Sequence, residues 1–184
     1  MTTSETKLTD EVKAMIGVEG ELAEASWYLI ENEGVRRFTQ AVMDPDPRFW
    51  DEEYAKNSKF GELITPPIYV SYQAKTPPWG GDPVTQAFKE NPVADGVAQL
   101  KERPKGSLPR VPTDLVRNLN AGNDLEIFKY PSRGDRIYKQ QRYANIIERV
   151  GRDGSHMLII TTEVNFYNQK GEKLCTTRAS GFRR

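Results

Sequence analysis

Two hydrophobic rhythms divide the chain. From residue 118 onward apolar and polar positions alternate with a period of two, which predicts strands over 118–130, 136–150, 156–168 and 173–182. In the third of these, Leu158, Ile160, Thr162, Val164 and Phe166 fall on one face, because successive side chains of a strand point to opposite sides. Asn168-Gln169-Lys170-Gly171 reads as a hairpin, with Gly171 supplying the positive φ, and Arg152-Asp153-Gly154 marks the hairpin before it. Upstream, the spacing is helical. A helix is expected over 10–24, with Thr9 or Asp10 as N-cap and Val12, Met15 and Ile16 on its apolar side. A short strand over 26–30 follows, then a helix over 34–43 with a stripe of Val35, Phe38, Ala41 and Val42. Asp44-Pro45-Asp46-Pro47 stops that helix, since a proline disfavours helix in the residue before it. Residues 51–57 read as a short acidic helix.

Pro66-Pro67 opens a further helix with a body from Ile68 to Lys75, which Pro77-Pro78 and Gly80-Gly81 end early for a central, buried element. Residues 76–113 form a proline-rich excursion with one helical piece at 93–100, and long excursions of this kind are often functional. A helical half followed by long antiparallel strands indicates an α+β fold, a curved sheet wrapped round the helix that starts at Pro66. Residues 1–25 read as a helical extension and 26–184 as a single domain.

Composition narrows the chemistry. Twenty-six basic side chains balance 26 acidic ones, which gives no reason to expect nucleic acid or a membrane surface as partner. No apolar run approaches the roughly 18–20 residues that span a bilayer. The first residues, MTTSETKLTDEVKAM, contain no apolar leader core, and the expected location is the cytoplasm. With one cysteine, Cys175, and one histidine, His156, neither an internal disulfide nor a zinc site of nitrogen and sulfur ligands is available. His156 follows Arg152-Asp153-Gly154-Ser155 and reads as a hairpin-tip residue; Cys175 reads as a buried small hydrophobe. Gly17-Val18-Glu19-Gly20 lacks the spacing of a phosphate loop. The expectation is a protein without metal, nucleotide cofactor or covalent nucleophile. Arg36 and Arg37 read as a solvated helix face.

Two stretches carry a resemblance. The first runs from Val35-Arg36-Arg37-Phe38 through Asp44-Pro45-Asp46-Pro47, Phe49-Trp50-Asp51-Glu52-Glu53-Tyr54-Ala55 and Phe60-Gly61 to Thr65-Pro66-Pro67. The second is Leu119-Asn120-Ala121-Gly122-Asn123-Asp124-Leu125-Glu126-Ile127-Phe128, then Pro131 and Gly134-Asp135. In this order they resemble the MaoC-like hot-dog hydratases, most closely the fatty-acid-synthase-like dehydratase N-terminal type. The resemblance implies a hot-dog fold and a thioester substrate such as an acyl-CoA. It also implies a catalytic Asp and His that bind one water and move its OH and proton to or from an enoyl thioester. A helix N-terminus in that family polarises the carbonyl. Carried over by residue, the acid falls on Asp44, the intervening Asn on Asp46 and the His on Phe49, which transfers no proton. Pro66 and Pro67 lack the N–H groups of a polarising helix start.

The resemblance therefore implies a subunit without catalytic residues of its own, with Asp44, Asp46 and Phe49 as degenerate positions. A MaoC-like partner in a heterodimer or heterotetramer would supply the Asp and His. Phe49, Trp50, Phe60, Gly61, Pro66, Pro67, Tyr69 and Tyr72 are the candidate substrate-binding residues, with burial in the core the competing role for the aromatic ones. The short helix implies a groove whose far end is open to a long or bulky acyl group. Two alternatives remain: a homodimeric hydratase using Asp44 with a substitute proton carrier such as Tyr54 or Tyr143, and a non-enzymatic acyl-thioester binding or scaffold protein.

Overall fold

The computed structural model describes residues 5–73, 75, 82–92 and 105–184. In chain order the elements are α1 (Asp10–Lys13), β1 (Ala23–Glu24), α2 (Asn32–Ala41), a 3-10 turn (Pro47–Phe49), α3 (Glu52–Asn57), α4 (Tyr69–Tyr72), α5 (Pro83–Glu90), β2 (Asn118–Ile127), β3 (Tyr138–Val150), β4 (His156–Tyr167) and β5 (Lys173–Arg183). One antiparallel sheet has the order β1-β3-β4-β5-β2. It is the α+β hot-dog arrangement that the resemblance implies. The four long strands lie where the period of two puts them, and Gly171 turns the last hairpin at φ 75°.

The helical half departs further from expectation. Helix α1 is a single turn capped by Thr9, and the chain then turns at Gly17, which has φ 86°, instead of continuing to residue 24. Residues 26–30 form no strand, although the amides of Ala25 and Ile30 donate to Ile137 and Asp135. The central helix α4 is shorter still than the Ile68–Lys75 reading. Within the excursion, Pro83–Glu90 is a helix capped by Asp82, which the sequence reading treated as loop. The helical piece expected at 93–100 and the residues expected to end the central helix lie outside the described residues.

A sheet this long needs apolar cover along its inner face, and two separate groups provide it. At one end, Val35 and Phe38 of α2 and Tyr69 and Val70 of α4 pack on Ile137, Val164, Phe166, Leu174 and Cys175. At the other end, Leu8, Val12, Met15 and Val18 join Leu108, Val111 and Leu115 over Tyr143, Ile146, Leu158 and Ile160. The far end of the sheet is therefore not an open groove, as the short helix alone suggested: Val12 and Leu158 are both 0% exposed. Burying a side chain of this size stabilises by roughly 1.5–3 kcal/mol. The N-terminal segment thus takes the place along the sheet that a longer helix would occupy.

Polar contacts hold that segment down. Glu148 accepts from the Thr6 hydroxyl at 2.6 Å and the Lys7 amide at 2.6 Å, and its Oε1 lies 2.7 Å from His156 Nδ1. Lys7 also pairs with Asp114 at 2.7 Å. His156 is thus not a hairpin-tip residue; it opens β4 opposite Val150, because the turn closes one residue earlier, between Gly151 and Ser155. The Thr6 hydroxyl first, then His156, pull the Glu148 carboxyl down to about 2.

The outer face carries a charge ladder across four strands. Arg142 donates to Glu163 at 2.8 Å, Arg178 to the same carboxylate at 2.7 Å, and Arg178 again to Glu126 at 3.0 Å. Glu163 is 4% exposed. Desolvation is the largest influence on its pKa and pushes it up, but the two guanidiniums together overrule it and leave it lowered. Beyond Glu126 the sheet ends: all ten residues of β2 are exposed, and its outer edge has no partner strand among the described residues.

Replacing Glu148 with Ala should speed amide exchange across residues 7–18 by about tenfold or more, since charge-assisted hydrogen bonds contribute about 1.5–3 kcal/mol. The centres of β4 and β5 should be unaffected. Because the folded pKa of Glu148 is depressed, its contribution is complete above the ordinary value of 4.5 and is lost as pH falls toward about 2, so acid should release the same segment. Glu163→Ala should lower unfolding free energy in urea by about 2–3 kcal/mol. That is below the range for a fully buried pair because both arginines are partly solvated.

Candidate functional site

The loop leaving α2 is where the two sequence stretches point. Met43 ends the helix at φ 56°, a left-handed conformation usual for glycine, and the Asp44 amide closes the end onto the Thr39 carbonyl at 2.9 Å. The Asp44 carboxylate then folds over its own loop and accepts the Asp46 amide at 3.1 Å. Asp46 caps the 3-10 turn through the Arg48 amide at 3.0 Å and forms an ion pair with the Arg48 side chain, the main reason its carboxyl is held below the usual range. Arg48 in turn lies over the rings of Phe49 and Phe60, 6.0 and 5.8 Å from their centroids. Phe49 is 5% exposed.

Each of the three aligned positions is occupied with local structure. Asp44 makes a turn, Asp46 an ion pair and Phe49 a piece of core. The substitute proton carriers fare no better. Tyr143 lies in the other half of the core and its hydroxyl donates to the Pro109 carbonyl at 2.7 Å. Tyr54 projects from α3 into solvent.

The start of α4 is built without two of its donors. Pro66 and Pro67 are buried, Thr65 donates its amide to the Pro131 carbonyl at 2.9 Å, and the first helical amide, Tyr69, turns back to the Pro66 carbonyl. Tyr69 packs edge-on against Phe38, and burial raises its phenol pKa. Gly34 is required here: a Cβ at that position would stand 2.6 Å from the Tyr69 hydroxyl.

Arg133 ties these pieces together. It projects from the Ser132–Asp135 turn and donates to Asn32 Oδ1 at 2.9 Å, the Ile64 carbonyl at 3.2 Å, Thr65 Oγ1 at 2.6 Å and the Phe49 carbonyl at 2.6 Å. Burial lowers its pKa. Two adjoining cavities of about 540 and 200 Å³ meet at this side chain and share Asn32, Glu52 and Leu63 with it.

Of the sequence-predicted residues, Gly61 lines the larger cavity and Phe49 and Trp50 the smaller. Pro66, Pro67 and Tyr69 lie in the core, Phe60 packs edge-on with Tyr130, and Tyr72 is exposed beside Phe38. Arg133 and Asn32 were missed. Arg133 sits in Ser-Arg-Gly-Asp, whose turn chemistry is legible but says nothing about where its side chain goes. Among the described residues no group of three or more His, Cys, Asp or Glu side chains is placed to hold a metal ion.

No curated protein matches the chain in sequence. Solved structures do match in fold. A chain of the ChsH1–ChsH2 complex from Mycobacterium tuberculosis superposes with a TM-score of 0.67 at 9% identity, covering 95% of this chain and 89% of that one. The HadBC (3R-hydroxyacyl-ACP dehydratase) complex of the same organism gives 0.56 at 16% identity, covering 91% and 96%. A MaoC-like dehydratase from Rhodospirillum rubrum gives 0.53 at 18% identity, covering 92% and 93%. These identities carry the fold, which is the hot-dog fold of hydratases and dehydratases. The model of the FAS1-like dehydratase domain region matches residues 14–177, nearly the whole chain, and this protein therefore belongs to that family.

Proposed function

We propose that the chain is the non-catalytic half of a heteromeric hydro-lyase that hydrates enoyl thioesters or dehydrates 3-hydroxyacyl thioesters, with an acyl-CoA as substrate. A MaoC-like partner subunit brings the Asp and His, and this chain shapes the acyl pocket with Phe49, Trp50, Phe60 and Gly61, backed by Pro66, Pro67, Tyr69 and Tyr72. It works in the cytoplasm and uses no cofactor. The observation that carries the reading is Phe49, buried where the family's histidine falls, beside two aspartates already engaged in the loop's own structure. A phenyl ring offers no proton, so an acid–base pair has to come from elsewhere.

The open edge of β2 supports a partner. Ten exposed residues with unpaired backbone groups on one side are a template for another strand. Leu125 and Ile127, which alternate onto the inner face, are uncovered as well. Two of the structural neighbours are complexes of two different chains, ChsH1–ChsH2 and HadBC. Among the described residues no helix is long and apolar enough to cross a membrane.

Hydration of enoyl-CoA thioesters by this chain alone, by its complex with a MaoC-like partner, and by the complex with the partner's histidine replaced tests the proposal. Turnover is expected in the complex only. It should fall by about 10²–10⁴-fold without the partner's histidine. Asp44→Asn in this chain should leave the complex within about twofold, since Asp44 contributes a turn and no proton. Activity of the chain alone, abolished by Asp44→Asn, would instead establish the homodimeric reading.

A further inference from the structure

We propose that Arg133 holds and polarises the carbonyl oxygen of a neutral thioester bound in the larger cavity, in place of the donors missing at Pro66 and Pro67. The inference rests on the reading of this chain as half of an acyl-thioester hydro-lyase and adds to it the residue that holds the thioester carbonyl.

The first support is the donor count. A guanidinium has five N–H groups. Four are used: Nε on Asn32, both on Nη1 by Ile64 and Thr65, and one on Nη2 by the Phe49 carbonyl. The second N–H of Nη2 has no partner among the described residues, and the side chain borders both cavities. Every acceptor it has is neutral, and no carboxylate of the described residues lies within ion-pair distance. A half-buried charge compensated only by dipoles acts more strongly on a nearby carbonyl than a neutral N–H does.

Position is the second support. Ile64 and Thr65 immediately precede Pro66-Pro67, where the family resemblance calls for N–H donors and none exist. Arg133 donates to these two residues from the turn that precedes β3. The turn is rigid: Gly134 sits at φ 81°, and the Asp135 carboxylate accepts the Ser132 amide at 2.9 Å. Four hydrogen bonds then fix the guanidinium itself, so its free donor needs no reorganisation when a carbonyl arrives.

Charge on the cavity wall selects the ligand class. Glu52, Glu53 and Glu62 line the larger cavity against Lys56 and Arg133, a count that disfavours phosphates and carboxylates. A neutral carbonyl meets no such repulsion in the ground state and has Arg133 on the cavity wall to receive it. The volume, about 540 Å³, is that of an ordinary small-molecule pocket. The carbonyl-holding group would then reside in this chain and the proton-moving pair in its partner.

The test uses the complex with the MaoC-like partner and crotonyl-N-acetylcysteamine labelled with ¹³C at the thioester carbonyl. Infrared difference spectra should show the bound carbonyl stretch moved to lower frequency than in water. In Arg133→Gln that displacement should vanish and kcat fall by about 10²–10³-fold with KM little changed, the size of losing one polarising donor. Arg133→Lys should restore part of both. Should Arg133→Gln not fold, amide exchange of the wild-type complex decides: the probe should protect residues 52–56 and 61–63, whereas inorganic phosphate should not. A carbonyl displacement unchanged in Arg133→Gln, protection elsewhere, or protection by phosphate alone overturns the inference. Turnover by the complex without any Arg133-dependent displacement sinks this inference and leaves the heteromeric reading standing. A complex without turnover sinks the latter.

Discussion

A twelve- or thirteen-residue strand presents more apolar surface than a one-turn helix can cover, and most of this fold follows from that mismatch. In β4 the inner-face residues Leu158, Ile160, Val164 and Phe166 extend well past the reach of Tyr69 and Val70. Sheets with an uncovered apolar face do not persist in water. The chain answers with material from both sides of the helix in sequence, residues 8–18 from before it and 108–115 from after it. The short helix is possible because these segments exist, and their position is set by the strand surface it leaves bare.

The candidate site shows a parallel substitution of one kind of structure for another. The loop after α2 carries scaffolding of its own: an aspartate turn, a capped 3-10 turn with an ion pair, and an anchoring phenyl ring. Asp46 spends its carboxylate on the Arg48 pair and Asp44 one oxygen on the loop's own amide. The unsaturated donor belongs instead to Arg133, which reaches the loop from a distant turn and is itself held by backbone and side-chain acceptors from three segments.

How much of this the sequence discloses depends on the range of the interaction. Strand periodicity and hairpin turns are local, so β2 to β5 and their boundaries are legible to within a few residues. Prolines made the shortness of the central helix legible too, though not its full extent. The second half of the core was not: Thr6 and Glu148 are 142 residues apart, and nothing in an apolar triplet such as Val12, Met15 and Ile16 says which surface it meets. That stretch has the spacing of a helix, yet two glycines and its docking against β3 leave one turn. His156 lies one residue past the hairpin tip, at the first position of β4. The burial of Phe49 was legible as one of its two competing roles, while Arg133 stayed hidden because turn chemistry masks a side chain's destination.

The N-terminal segment has a practical meaning for anyone handling fragments of this protein. The family match begins at residue 14, and by sequence the domain begins near 26, so either number invites cutting there. Both cuts would remove Leu8, Val12 and two of the partners of Glu148, Thr6 and Lys7, and would uncover part of the stripe formed by Ile146, Leu158 and Ile160. A stripe of that kind on a strand surface is sticky. A trimmed fragment would clump or misfold for reasons unrelated to its chemistry, and its silence in an assay would be mistaken for a property of the site.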